Sequence, residues 1–346
     1  MTRAPGPGGA PEARVRVLVA DDSPLFREVL GRLVGDEPGF EVVGSARDGE
    51  EAARLVRALR PDVVTMDLQM PEADGFSGIA RIMAETPTPI LVLTSQPARA
   101  VSFRALSLGA LDLLEKPPPE ADLEAYAQTL RSRLRLLAGV RVIRHPLGVR
   151  RADGGRPRRA VRPSVVAIGA SLGGPRALLA VLRALPADFP APIAVVQHIA
   201  DGFTEGLAAW LDQECALGVA VARDGETLEP GQVRVAPAGA HLLVGPARAR
   251  LSDAPPVEGF RPSVTELFRS AAEAHGPRAC GVLLTGMGRD GADGLAALRG
   301  AGGHAIVQDE ATSAIFGMPR AAIEAGAADR VLPLEDIPRA LAELVD

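Results

Sequence analysis

Three residue classes are scarce in this 346-residue sequence: cysteine, aromatics and lysine. Its two cysteines, Cys215 and Cys280, exclude a disulfide framework and a cysteine-based zinc site. Both sit among apolar neighbours, as buried thiols do. Aromatics make up only 3% against 47% hydrophobic residues, so any core is aliphatic. That content, with 23% charged residues, excludes wholesale disorder. A net charge of −5 argues against a general nucleic-acid binder. No apolar run approaches the ~20 residues that cross a bilayer. The opening stretch, 1–14, lacks the apolar centre of a secretion signal and reads as a disordered tail. A cytoplasmic protein without membrane insertion is expected. Lysine occurs once, as Lys116.

From Val15 onward, short β-rich runs alternate with amphipathic stretches. Strands are expected at 15–21, 41–46, 62–67, 89–95 and 112–117, each followed by a helix. Alternating units this short imply a parallel sheet covered on both faces. Residues 139–163 break the pattern with eight arginines and one acid, and their Gly and Pro content marks a linker. No aromatic interleaves these arginines, so a solvated tether or a contact with an acidic surface suits them better than nucleic acid. From Ser164 a second alternating region follows, with strands at 164–170, 192–198, 232–237, 241–245, 279–286 and 304–309. The fold class is α/β, with two doubly wound parallel-sheet domains. Active groups belong at the carboxyl ends of such strands.

In the first region these ends carry Asp21 and Asp22, Asp67, Thr94 and Lys116. Three carboxylates on one edge repel one another unless a cation lies among them, and Mg²⁺ suits oxygen donors. A metal-assisted carboxylate can attack a phosphoryl group, with a hydroxyl and an ammonium holding the phosphoryl oxygens. Any single Asp here could be an N-cap or turn residue. Together, DD at 21–22, MDLQMPEADG at 66–75, LTS at 93–95 and EKP at 115–117 strongly resemble a response-regulator receiver domain over 15–138. The resemblance implies a flavodoxin-like (βα)5 fold, Asp67 phosphorylated by a chemotaxis histidine kinase, and Mg²⁺ held by Asp22 and Asp67. It also implies that Asp21, Thr94 and Lys116 support the site. The family's usual aromatic switch position holds Leu113.

In the second region, GASLG at 169–173 fits the G-x-S-x-G elbow, which exposes a serine hydroxyl above a sheet. The same turn could cradle a phosphate at the helix N-terminus. A serine nucleophile needs a base, and the base an orienting carboxylate. His198 ends the strand PIAVVQ and would land at the Ser171 edge. His145 lies in the linker, His275 ends a helix, and His241 and His304 begin strands and so point to the opposite edge. Asp290 follows the strand over 279–286 in a Gly-rich turn. It could instead be the N-cap of the next helix. Asp293, its competitor, lies a turn further on. The order Ser…His…Asp excludes the α/β-hydrolase fold.

The stretches IGASLGGPRAL (168–178), QHIADGFTEGLA (197–208), DGETLEPGQVRVAPAGAHL (224–242), RPSVTELF (261–268), LLTGMGRDGADGL (283–295) and QDEATSAIFGMPRAA (308–322) closely resemble the CheB-type chemotaxis-receptor methylesterase. The match covers 164–346 and implies a Rossmann-like methylesterase domain. By motif it makes Ser171 the nucleophile, His198 the base and Asp290 the orienting acid. The family's usual Thr after the serine is Leu172 here. The resemblance implies hydrolysis of glutamate γ-methyl esters on methyl-accepting chemoreceptors, with glutamine deamidation as a second activity. Backbone amides near Met287 are the oxyanion candidates, and no cofactor is expected for ester hydrolysis. A phosphate-binding module without chemistry is the competing reading. A DNA-binding regulator lacks a helix-turn-helix candidate.

Overall fold

The computed structural model describes residues 14–70, 74–95, 100–118, 120–140 and 161–345. Most of the expected tail (1–14) and linker (139–163) lies outside the described residues.

The first sheet is built from β1 (Val15–Ala20), α1 (Pro24–Gly35), β2 (Phe40–Ala46), α2 (Gly49–Leu59), β3 (Val63–Asp67), α3 (Gly75–Glu85), β4 (Ile90–Thr94), α4 (Ala100–Ser107), β5 (Asp112–Glu115) and α5 (Leu123–Ala138). Strand order is β2-β1-β3-β4-β5, the doubly wound order of a flavodoxin-like domain. The apolar runs VVTMD and ILVLT are buried throughout, because helices cover both faces. The helices start where side chains cap them. Ser23, Asp48, Asp74 and Asp122 each accept from an amide of the first turn.

The second sheet belongs to β6 (Val165–Ala170), α6 (Gly174–Arg183), β7 (Ile193–Gln197), α7 (Thr204–Glu214), β8 (Gly218–Val221), β9 (Gln232–Val235), β10 (His241–Val244), β11 (Ala249–Ser252), α8 (Val264–His275), β12 (Ala279–Leu283), α9 (Ala292–Gly300), β13 (His304–Gln308), α10 (Met318–Glu324), β14 (Arg330–Leu332) and α11 (Ile337–Val345). Its order is β14-β13-β12-β6-β7-β9-β8, every pairing parallel. The central strands β12, β6 and β7 are wholly buried. Phe268, Leu267 and Leu295, on α8 and α9, pack with them in one aliphatic core.

Three short strands were not expected: β8, β11 and β14. Another difference concerns β10. Its apolar HLLV reads as a strand of the main sheet, but β10 pairs only with β11, in a separate antiparallel hairpin. Compactness groups the described residues up to Leu93 with Lys116–Val140, and Thr94–Glu115 with those from Val161 onward. Among the described residues, no helix is long and apolar enough to cross a membrane.

Candidate active site

The neighbouring strands β6, β7 and β12 end at one edge of the second sheet, and the chain beyond those ends carries Ser171, His198 and Asp290. Two backbone bonds continue the ladder past the strand ends. Ser171 N–H donates to Thr285 O at 3.0 Å, and His198 N–H donates to Ala170 O at 3.0 Å. They fix the direction in which both side chains leave the sheet. The chain then turns through Gly173 at φ +74°, where a side chain would be strained and its Cβ would meet Ala314 Cβ at 2.5 Å. A Cβ on Gly286 would sit 2.7 Å from Ser171 Cβ, so only glycine lets this loop approach the serine so closely.

His198 Nε2 lies 2.9 Å from Asp290 Oδ2. The imidazole also stacks flat on Phe260, with ring centroids 4.0 Å apart and planes 2° from parallel. Its Nδ1 is buried without a hydrogen-bond partner. No hydrogen bond joins Ser171 Oγ to His198 among the described residues. Such contacts are commonly loose before substrate arrives.

Asp290 is fully buried. Its Oδ1 accepts from Ser263 Oγ (2.9 Å) and Thr265 N–H (2.9 Å), and its Oδ2 accepts from Val264 N–H (2.8 Å). The carboxylate thus sits on the N-terminus of α8, whose free amides and dipole favour negative charge. Burial alone would push the carboxyl up, but the hydrogen bond and charge of His198 and the bonds from Thr265 outweigh it and hold it at about 2. Asp290 is not the N-cap of α9, a position taken by Gly291. Asp293 is engaged with Arg289 at 2.8 Å instead.

The expectation for His241 needs correction. Because β10 leaves the main sheet, His241 is buried beside the Asp290 cradle, its Nδ1 accepting from Ser263 N–H at 3.2 Å. Its Nε2 lies 3.2 Å from Pro255 O. Met287, the oxyanion candidate, is 44% exposed in the loop that also carries Thr285. The Leu172 carbonyl accepts from Thr285 Oγ1 at 3.0 Å.

Four residues of this site escaped sequence reasoning. Gln197 is buried, and its Nε2 donates to Ser171 O (2.7 Å) and His198 O (2.8 Å), clamping the two strand ends together. Its place directly before His198 was the available signal. Ser263 and Thr265 were legible in RPSVTELF, where Ser263 and Glu266 have capping-box spacing. Phe260 has no local signature.

The first sheet gathers Asp21, Asp22 and Asp67, whose carboxylate oxygens lie within 4.8 Å of one another. Asp21 and Asp67 are buried, and Asp22 is exposed. Lys116 Nζ donates to Asp21 Oδ2 and Asp67 Oδ2, both at 2.7 Å, and lies 4.7 Å from the centre of the Phe26 ring. Burial raises the Asp21 carboxyl despite the opposing pull of Lys116. Burial also works against the charge on Lys116, yet its bonds to Asp21 and Asp67 win and raise it. Thr94, buried, follows Leu93, the register partner of Asp67. Leu113 is buried in β5. An all-oxygen set with one solvent-facing carboxylate fits a hard divalent cation.

A family profile described as CheB methylesterase matches residues 166–341, and one described as response regulator receiver domain matches 17–128. A protein-glutamate methylesterase/protein-glutamine glutaminase of Anaeromyxobacter dehalogenans is 68% identical over 95% of this chain and 97% of its own. Another, from Myxococcus xanthus, is 47% identical over 93% and 95%. The crystal structure of the Thermotoga maritima CheB methylesterase catalytic domain superposes with a TM-score of 0.52 at 42% identity, covering 54% of this chain and all of that one. With both profiles in the expected order and relatives matched along nearly their full length, this chain belongs to the CheB methylesterase family.

Proposed function

We propose that this chain hydrolyses glutamate γ-methyl esters on the cytoplasmic part of chemoreceptors, releasing methanol, and deamidates glutamines at the same site. Receiver (15–138), linker (139–163) and catalytic domain (164–346) divide the work. The observation that carries this reading is the buried His198–Asp290 pair, with an unpartnered ring nitrogen, on the strand end beside Ser171.

Ser171 Oγ attacks the γ-carbonyl carbon while His198 takes its proton. The carbonyl electron pair moves to oxygen, where backbone amides near Met287 meet the developing charge. When that pair returns, the bond to the methoxy group breaks, and His198 gives its proton to the departing oxygen, which leaves as methanol. Water then adds to the acyl-serine by the same proton path, restoring Ser171 and leaving glutamate. Asp290 stays ionised and steadies the imidazolium. A glutamine amide follows the same route with ammonia as the leaving group.

Asp67 accepts a phosphoryl group from a chemotaxis histidine kinase, and this raises the activity. Asp22 and Asp67, with Asp21 beside them, would hold Mg²⁺, which when bound supplies positive charge for the incoming phosphoryl oxygens. Thr94 and Lys116 bind those oxygens once the phosphoryl group is in place. The protein works in the cytoplasm and binds no nucleic acid.

The test is incubation of the full chain with receptor carrying labelled methyl esters, with and without a small-molecule phosphodonor. Labelled methanol should appear, and appear faster with the donor. Receptor bound without methanol release would favour a binding module instead.

A further inference from the structure

Two segments remote in sequence act on the His198 ring, and its neighbour Gln197 holds the backbone beneath it. Asp290, after β12, takes the Nε2 side at 2.9 Å. Gln197 holds the His198 carbonyl at 2.8 Å. Phe260 covers one face of the ring at 4.0 Å. Phe260 is presented by a tight turn closed by reciprocal bonds, Val257 N–H to Phe260 O (3.1 Å) and Phe260 N–H to Val257 O (2.9 Å). The turn's central residues, Glu258 (φ 52°) and Gly259 (φ 86°), are both left-handed, the geometry of a type I′ turn. A non-glycine residue in that region is strained, and such strain persists where surrounding bonds over-determine it. Here Arg261 Nη1 ties the following residue to Asp253 O (2.9 Å) and Ala254 O (3.3 Å). The aromatic face is therefore placed by backbone geometry, not by a mobile side chain on an open loop.

In this plane, the Asp290 contact assigns the two nitrogens. A buried carboxylate only accepts, so Nε2 must carry a proton toward Asp290. Nδ1, buried and unpartnered, is then the bare nitrogen. We infer that Phe260 is a positioning residue of the hydrolase: its flat face holds the plane of the His198 imidazole while Asp290 takes Nε2–H, which leaves Nδ1 as the proton acceptor for Ser171. This is the reverse of the serine-protease arrangement, in which Nδ1–H meets the carboxylate and Nε2 serves the serine. Nδ1 receives the Oγ proton as Oγ bonds to the ester carbon. It yields that proton to the departing methoxy oxygen, and the ring returns to its starting tautomer. The inference rests on the proposed ester hydrolysis for its kinetic consequence but not for the tautomer.

Two measurements on the full chain test it. In the first, Phe260→Leu keeps an apolar side chain and removes the flat face, while Phe260→Tyr keeps the face. Methanol release by Phe260→Leu should show kcat reduced between about ten- and a hundred-fold with KM unchanged, the scale of a misplaced catalytic group. Phe260→Tyr should retain the parent rate, with both variants melting as the parent does. Parent-like kcat in Phe260→Leu, or equal loss in both variants, would overturn the role. In the second, nitrogen-15 NMR of histidine-labelled protein in alkaline solution, assigned with His198→Gln, should place the His198 proton on Nε2. A proton on Nδ1 would overturn the orientation even if the kinetics agreed. If the parent itself releases no methanol, the hydrolase reading fails while the NMR result still decides the ring pose.

Discussion

Ser263 and Asp290 lie 27 residues apart, yet Ser263 Oγ donates to Asp290 Oδ1 at 2.9 Å, with both residues fully buried. Ser263 caps α8, so the helix start and the acid paired with His198 are one hydrogen-bonded unit. Asp290→Asn puts a neutral amide, half of it a donor, against three donors of that cradle. The methanol-release rate should fall roughly ten-thousand-fold, because an amide cannot steady the imidazolium or fix its tautomer. Rates within ten-fold of the parent would remove Asp290 from the catalytic set.

The same cradle links activity to acid stability. Asp290 is held at about 2, below its ordinary 3.8. A carboxyl lowered by folding contributes stability that is complete above the unfolded value and disappears as pH falls through the folded one. The loss should therefore run from about pH 4 down to about pH 2 and amount to about 2 kcal/mol. Urea unfolding across that window should show the parent losing this much more than Asp290→Asn. Parallel curves would mean that another carboxylate carries the acid sensitivity.

Lys116 bridges two buried carboxylates at 2.7 Å each. Lys116→Met leaves both uncompensated, which should cost about 3 kcal/mol in urea unfolding near neutral pH. Asp21→Asn added to it should recover part of the loss, since the two changes share one network. A Lys116→Met variant as stable as the parent would contradict the pairing.

Asp67→Asn should abolish stimulation by a phosphodonor and leave unstimulated methanol release at the parent level. Persistent stimulation would place the phosphorylated residue elsewhere.

Gln197→Leu removes the amide that donates to both the Ser171 and His198 carbonyls; Ser171 O keeps its bond from Gly174 N–H at 2.8 Å, while His198 O loses its donor. A loss of about 2 kcal/mol in unfolding free energy is expected. Methanol release should slow as well, because the two strand ends are no longer tied. A fully active, fully stable variant would show the clamp to be dispensable.

Much of this arrangement was written in local patterns. Apolar runs such as VVAIGA and ACGVL are long enough and apolar enough to announce buried parallel strands, and their ends carry Ser171 and the Asp290 loop. Lys116 stood out because no other lysine exists. What escaped detection depended on partners remote in sequence. The strands β8, β11 and β14 have only three or four residues with exposed positions, so they gain their identity from pairing. HLLV carries no mark of which sheet it joins, and His241 was consequently assigned to the wrong edge. Ser263, Thr265 and Phe260 reach the site from one segment, 260–265, that only the folded chain brings beside β12. The alternative that Asp290 caps α9 was excluded by the amides of α8, a relation that no spacing in the sequence encodes.

The most direct measurement compares methanol release from methylated chemoreceptor by the parent chain and by Ser171→Ala, in protein shown to be folded. A parent that liberates methanol beside a variant that liberates none above background is the predicted result. Undiminished release by Ser171→Ala would contradict the account at its centre, since the hydroxyl that the whole site surrounds would then play no part.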